Sequence, residues 1–227
     1  MQGLQSNIAI KINPKVYKKD PLSSDLGGKI LRQGVNLLNE LGYEEFTFKK
    51  LAERINSTEA SIYRYFESKR NLLAYLTMWY WSWMEYRIVM KTLNIESPVT
   101  QLRNAITCLT EQVHEDKEVK QIDEEKLHRI VITESSKVYL CKEVDEHNES
   151  GFFLVYKSVV QRVADIILLI KPQFKYPHML VSTIIEGAHH QRFFADHLPR
   201  LTDVVKGEDA VTTFYLQLIE RELGIEK

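Results

Sequence analysis

Cysteine, glycine and proline are all scarce in this 227-residue chain. Two cysteines, Cys108 and Cys141, cannot build a disulfide framework, and neither sits in a C-x-x-C pair. They read as free thiols in a reducing compartment. Nine glycines and six prolines leave long stretches without a breaker, which disfavours an all-β chain with its frequent turns. Long apolar runs are missing too. The most apolar segment, "DIILLI" at 165–170, is too short to span a bilayer, and Lys171-Pro172 ends it. The opening "MQGLQSNIAIKINPK" lacks the basic start and unbroken apolar stretch of a signal peptide. The expectation is a soluble, cytoplasmic protein with no membrane partner. G-x-S-x-G, P-loop and Rossmann patterns are also absent, so no enzyme class and no cofactor is indicated.

What is present suits a helical protein with a real core. The chain is 44% hydrophobic and 27% charged, ordinary for a globular domain. Its net charge of −1 conceals an asymmetry: residues 1–75 hold 12 Lys+Arg against 8 Asp+Glu, and the remainder 18 against 23. A basic N-terminal part on an acidic protein suggests that one end meets a polyanion.

Residues 1–22, with a weak alternation at "NIAIKI" and prolines at 14 and 21, read as an extended arm or a short strand. Ile30, Leu31, Val35, Leu38 and Leu41 recur near the helical period over 25–41, and Gly42 is placed as a C-terminal stop. Thr47 is placed to cap a short helix carrying Phe48, Leu51, Ala52 and Ile55. Asn56 tolerates the left-handed conformation that a tight turn needs. Thr58 caps a second short helix, and Ser68 a third that runs to about Leu93. Two short helices joined by a tight turn form a helix-turn-helix, supported by the helix at 25–41. Beyond Pro98 the pattern predicts helices near 98–115, 122–134, 136–147, 150–171, 176–197 and 208–223. The predicted fold class is all-α: an N-terminal three-helix helix-turn-helix domain joined by a long helix to a larger C-terminal helical bundle. The corresponding segments are an arm at 1–22, a helix-turn-helix unit at 23–75, and a larger helical part at 76–227.

"LAERINSTEASIYRYFESKRNLL" resembles the DNA-binding signature of the tetracycline-repressor (TetR) family of bacterial regulators, approximately I-A-x-x-A-G-V-S-x-G-T-L-Y-x-Y-F-x-S-K-x-x-L. Leu51-Ala52, Thr58, Ser61-Ile62-Tyr63, Tyr65-Phe66, Ser68-Lys69 and Leu72 match without a gap. Asn56, Ser57 and Ala60 depart from it, standing where the family has glycine, valine and glycine. The resemblance covers about residues 25–75. It implies that 23–75 is a DNA-binding domain and that 76–227 is an effector-binding and dimerisation domain. It implies further that Thr47, Tyr63 and Lys69 hold phosphates, while Glu59, Ser61, Arg64 and Tyr65 face the major groove.

The residue chemistry is compatible with that assignment. A recognition helix must be slim where its backbone nears the groove, and Ala60 and Ser61 supply that. Arg64 can pair with guanine, and Tyr65 can pack on a thymine methyl or a phosphate. Lys49 is a further phosphate candidate, and Thr58 caps the helix. Glu59 repels phosphate unless it accepts from cytosine, and it equally suits a first-turn acid favoured by the helix dipole. Phe66 reads as core.

The larger half, by the same resemblance, dimerises and holds a small-molecule effector. The segments near 150–171 and 176–197 are the dimerisation candidates, a central core helix being the alternative reading. Trp79, Trp83 and Tyr86 in "MWYWSWMEY" could line an apolar effector pocket, or simply form core and domain interface. A different reading rests on three Glu-x-x-His pairs, Glu111/His114, Glu125/His128 and Glu186/His189. On a helical bundle that spacing is the constellation of a di-iron carboxylate metalloenzyme, although it also suits ordinary helix-surface pairs. The leading expectation is a DNA-binding transcriptional regulator, not an enzyme. It would be a repressor that binds a palindromic operator on double-stranded DNA as a homodimer and responds to an effector.

Overall fold

The computed structural model describes residue 10 and residues 12–114 and 122–225. Among these there is no strand; eleven α-helices follow one another. The first four are α1 (Asp25–Glu45), α2 (Phe48–Arg54), α3 (Glu59–Tyr63) and α4 (Lys69–Thr92). The rest are α5 (Pro98–Thr110), α6 (Glu124–Glu134), α7 (Ser136–Tyr139), α8 (Val144–Glu149), α9 (Leu154–Ile170), α10 (Pro177–His197) and α11 (Ala210–Leu223).

Helix starts follow side-chain capping. Ser24, Thr47, Thr58 and Ser68 each accept a bond from the backbone N–H three residues on, opening α1 to α4 in turn. Ser97, Asp123 and Asp209 do the same for α5, α6 and α11. Gly42, with φ 72, breaks the α1 trace where the sequence placed a stop, and a further turn reaches Glu45.

Helix α4 is apolar around most of its circumference and forms the axis of the molecule. Its first turns, Leu72 to Leu76, close the N-terminal unit; Trp79, Tyr80, Trp83 and Met84 sit deep in the bundle. It packs on α5, α6 and α9. One continuous core therefore runs from Val16, Ile30 and Phe66 to Val163 and Ile185.

Three predicted elements differ. The "NIAIKI" stretch lies mostly outside the described residues. From Ile12 onward the arm is neither free nor a strand: it folds into two 3-10 turns, Pro14–Val16 and Pro21–Ser23. Asn13 and Asp20 cap these turns with their side chains and each proline sits at the first position, where its fixed φ favours a turn. Ile12, Val16 and Pro21 are buried. Helix 98–115 stops at Thr110, with Glu111 extended. The helix expected at 136–147 divides into α7 and α8. There Leu140, at φ −101 and ψ 53, leaves the helical region, and the Cys141 thiol donates to the Val138 carbonyl at 3.3 Å.

Candidate nucleic-acid interface

Helices α2 and α3 are held by their inner residues. Phe48, Leu51, Ala52 and Ile62 are buried, with α2 packed on α1 and on α3. Between them Asn56 takes φ 57, and Ser57 N–H returns to the Ala52 carbonyl at 2.9 Å, so the chain reverses within a few residues. Thr58 then caps α3 through Ser61 N–H at 3.2 Å, and the two hydroxyls lie 2.9 Å apart.

This geometry turns one face outward. Thr47, Lys49, Thr58, Glu59, Ala60, Tyr63 and Arg64 are exposed and Ser61 is half-buried. Tyr63 is 45% exposed while its ring packs edge-on against Phe48, centroids 5.1 Å apart. The ring is anchored and the rest of the side chain is left at the surface. Arg64 and Lys49 make no ion pair among the described residues. By contrast, Arg54 is paired with Glu40 at 2.7 Å, Lys50 with Glu45 at 3.4 Å and Arg70 with Glu143 at 2.9 Å.

Two expected contacts are placed differently. Tyr65 does not face outward: it is 3% exposed, and its hydroxyl lies 2.8 Å from Ser24 Oγ. Position 65 falls after α3 has ended, and the turn into α4 carries the ring inward. A groove-reading role for Tyr65 is therefore corrected to a core role. Lys69 directs its ammonium to the carbonyls of Tyr43, Glu44 and Phe46 at 2.8, 3.2 and 3.2 Å. All three of its N–H donors are thereby used, and Lys69 acts first as a clamp between α4 and the end of α1.

A cavity of about 1140 Å³ opens between α1, α6, α10 and residues 203–211. Leu38, Glu111, His128, Ile130, Arg192 and Phe193 are among its walls. Trp79, Trp83 and Tyr86, named as candidates for an effector pocket, do not line this cavity. Trp79 and Trp83 are buried in the core, and Trp83 lies under the Arg87 guanidinium at 4.6 Å.

His128 Nδ1 lies 2.9 Å from the Tyr80 hydroxyl, and Nε2 has no hydrogen-bond partner among the described residues. Burial, helped by His189 and Arg192, holds the His128 pKa well below the usual histidine value. The ring is therefore neutral near pH 7. The buried Tyr80 O–H has no other acceptor among the described residues, so it donates to Nδ1. That leaves the proton on Nε2, a donor beside the cavity.

The Glu-x-x-His pairs do not converge as a metal site. Glu111 is bound by Arg87 at 2.5 Å and Lys91 at 3.1 Å, and His114 lies beyond the end of α5. Glu125 pairs with Arg129, and Glu186 accepts from the Tyr139 and Tyr156 hydroxyls. His128 and His189 do meet, ring centroids 5.6 Å apart. Among the described residues no group of three or more His, Cys, Asp or Glu could hold a metal ion. No helix of the described residues is long and apolar enough to cross a membrane. The sequence signal nearest the cavity was this pairing itself, since Glu111, His114, Glu125 and His128 all line it.

Residues 30–76 match the profile described as "Bacterial regulatory proteins, tetR family". Tetracycline repressor protein class G of Vibrio anguillarum is 41% identical over 46 residues, 20% of this chain. The chain spans 22% of that curated relative's length. Among solved structures, AibR in complex with isovaleryl coenzyme A and operator DNA has a TM-score of 0.58 at 14% identity. That likeness covers 83% of this chain and 95% of AibR. The TetR family regulator PfmR of Thermus thermophilus has a TM-score of 0.57 at 16% identity, covering 87% and 99%. The ketosteroid transcriptional regulator KstR2 of Mycobacterium tuberculosis has a TM-score of 0.54 at 13% identity, covering 96% and 97%. At such identities these likenesses speak to the fold, which is the same all-helical arrangement.

Proposed function

Residues 30–76 belong to the tetR family of bacterial regulatory proteins, and from that premise we propose that this chain is a repressor. It binds a palindromic operator as a homodimer and releases it when an effector binds. In this reading residues 23–75 are the DNA-binding domain and 76–227 carry dimerisation and effector binding. The observation that carries it is the outward face of α2 and α3, where Arg64, Lys49 and the edge of Tyr63 are left unpaired while neighbouring cations are spent on carboxylates.

Arg64 is the base reader, with Ala60 and Ser61 giving it clearance; Thr47, Lys49 and Tyr63 position the unit on phosphates. Glu59, exposed on the same face, discriminates against phosphate and favours a cytosine amino group. Arg64→Ala is expected to relax base preference at one position by about 1–3 kcal/mol. The check is binding to a duplex selected from random-sequence DNA and to its single-base variants. An unchanged preference across those variants would remove Arg64 from the reading surface.

The dimer is formed by α9 and α10. Leu154, Leu169 and Met179 are 63%, 66% and 66% exposed on these two helices, apolar side chains that a second copy would cover. Half-sites one helical turn apart then follow from two-fold symmetry. The effector occupies the 1140 Å³ cavity, where its volume suits a small organic molecule. AibR, bound to both isovaleryl coenzyme A and operator DNA, supports the pairing of the two functions in one fold.

A further inference from the structure

The positive charge of the N-terminal part does not sit where the reading helix is. Of the 12 Lys+Arg and 8 Asp+Glu in residues 1–75, residues 1–22 hold four lysines (Lys11, Lys15, Lys18, Lys19) and one acid, Asp20. Residues 23–75 therefore hold 8 cations against 7 acids, an excess of only one. Of those eight, Arg54, Lys50 and Arg70 are in ion pairs and Lys69 is clamped to carbonyls. A helix-turn-helix so close to neutral has little with which to displace counterions from a phosphate backbone.

The arm supplies the difference, and the structure holds it beside α3. Lys18 N–H donates to the Tyr65 carbonyl at 2.7 Å. The Lys19 ammonium lies 5.2 Å from the centre of the Tyr65 ring. Ser24, at the start of α1, shares a hydrogen bond with the Tyr65 hydroxyl. The turn at Pro21–Ser23 crosses α1 so closely that a Cβ on Gly27 would lie 2.1 Å from the Pro21 carbonyl oxygen. Asp20 is occupied in capping that turn through Leu22 N–H at 2.8 Å. Both lysines are exposed, on a backbone fixed immediately beyond the C-terminal end of the recognition helix.

We infer that Lys18 and Lys19 form a second DNA contact, a phosphate-binding flank that carries the footprint past the edge of α3 onto the adjoining backbone. It rests on the DNA-binding reading above and deepens it. The contact adds affinity without base preference, because two ammonium groups on phosphate oxygens carry no sequence information. Tyr65, withdrawn from the groove, serves as the post on which this flank is mounted.

The test uses the full chain and a duplex recovered by selection from random-sequence DNA. Affinity is measured against salt concentration for the wild type, for Lys18→Ala with Lys19→Ala, and for the same two positions changed to Arg. Loss of two phosphate contacts is expected to make the slope of log K on log salt shallower by about 1.8, at roughly 0.9 per phosphate. The ranking of single-base variants of the duplex should be unchanged, and the arginine pair should keep the wild-type slope. A wild-type slope in the alanine pair overturns the flank while leaving the DNA-binding reading intact. Loss of slope in the arginine pair as well would mean that arm packing, not charge, was responsible, and overturns the flank too. If selection recovers no duplex with the wild type, the reading itself fails and the flank falls with it.

Discussion

Asn56 carries φ 57 in the turn between the two short helices, where a side chain with a Cβ is tolerated only at a cost. Replacing it with Gly, the residue the tetracycline-repressor signature has there, should be neutral or slightly stabilising. A β-branched residue should cost roughly 1–2 kcal/mol in a denaturant melt. Tyr65→Phe is expected to lose about 1 kcal/mol through its bond to Ser24 and to leave the order of preferred DNA sequences unchanged. A shift in that order would return Tyr65 to the groove. Lys69→Ala removes the donor for three carbonyls, and should cost on the order of 1–3 kcal/mol of folding stability.

At this scale the caps and the turn were legible, because Ser, Thr and Asn act on backbone groups two or three residues away. The inward turn of Tyr65 was not. It depends on Ser24, forty-one positions earlier, and on α3 ending at Tyr63, which no local spacing displays.

Among the helices, α6 and α10 meet through a pair of buried imidazoles. His189 is held down to about 4 by burial, assisted by the neighbouring His190, and His128 is shifted in the same direction. In the unfolded chain both titrate near the ordinary value of 6.5, so between about pH 6.5 and pH 4 the unfolded state binds more protons. Stability is then fully present above the unfolded value and falls as pH is lowered toward 4. His189 alone accounts for roughly 3 kcal/mol of that loss. Chemical melts at pH 7 and pH 4.5 should show it, and His189→Gln should flatten the difference. A second junction joins α6 to the reading unit. Glu134 accepts from Tyr43 N–H at 3.1 Å and pairs with Lys137 at 2.5 Å, which also reaches Glu44 at 3.5 Å. The positions of most helices could be read from periodicity and breakers. The split between α7 and α8, where Leu140 leaves the helical region, and the course of the arm, which follows long-range packing of Ile12 and Val16, could not.

Across the whole molecule, the cavity was the least legible feature. Its walls come from α1, the segment after α5, α6, α10 and the approach to α11, five places far apart in the chain, whereas the dense aromatic stretch of α4 is buried. In its proposed role as a dimer, the chain should sediment at twice its mass. Leu169→Asp with Met179→Asp should give a folded monomer that binds operator far more weakly, since two half-sites are no longer linked. Dimeric behaviour of that variant would move the interface away from α9 and α10.

Helix α4 has no seam. Leu72, Leu73 and Leu76 wall the reading unit, Trp79 and Tyr80 belong to the bundle, and nothing between them is exposed. A reading head grafted from a related protein would therefore have to be spliced inside a buried helix. The graft would inherit mismatched neighbours at Tyr75 and Leu76 wherever the cut fell. Exchange of outward residues on α3 alone leaves that shared axis untouched, and under the proposed function it is the route by which such a protein can acquire a new address on DNA without being refolded.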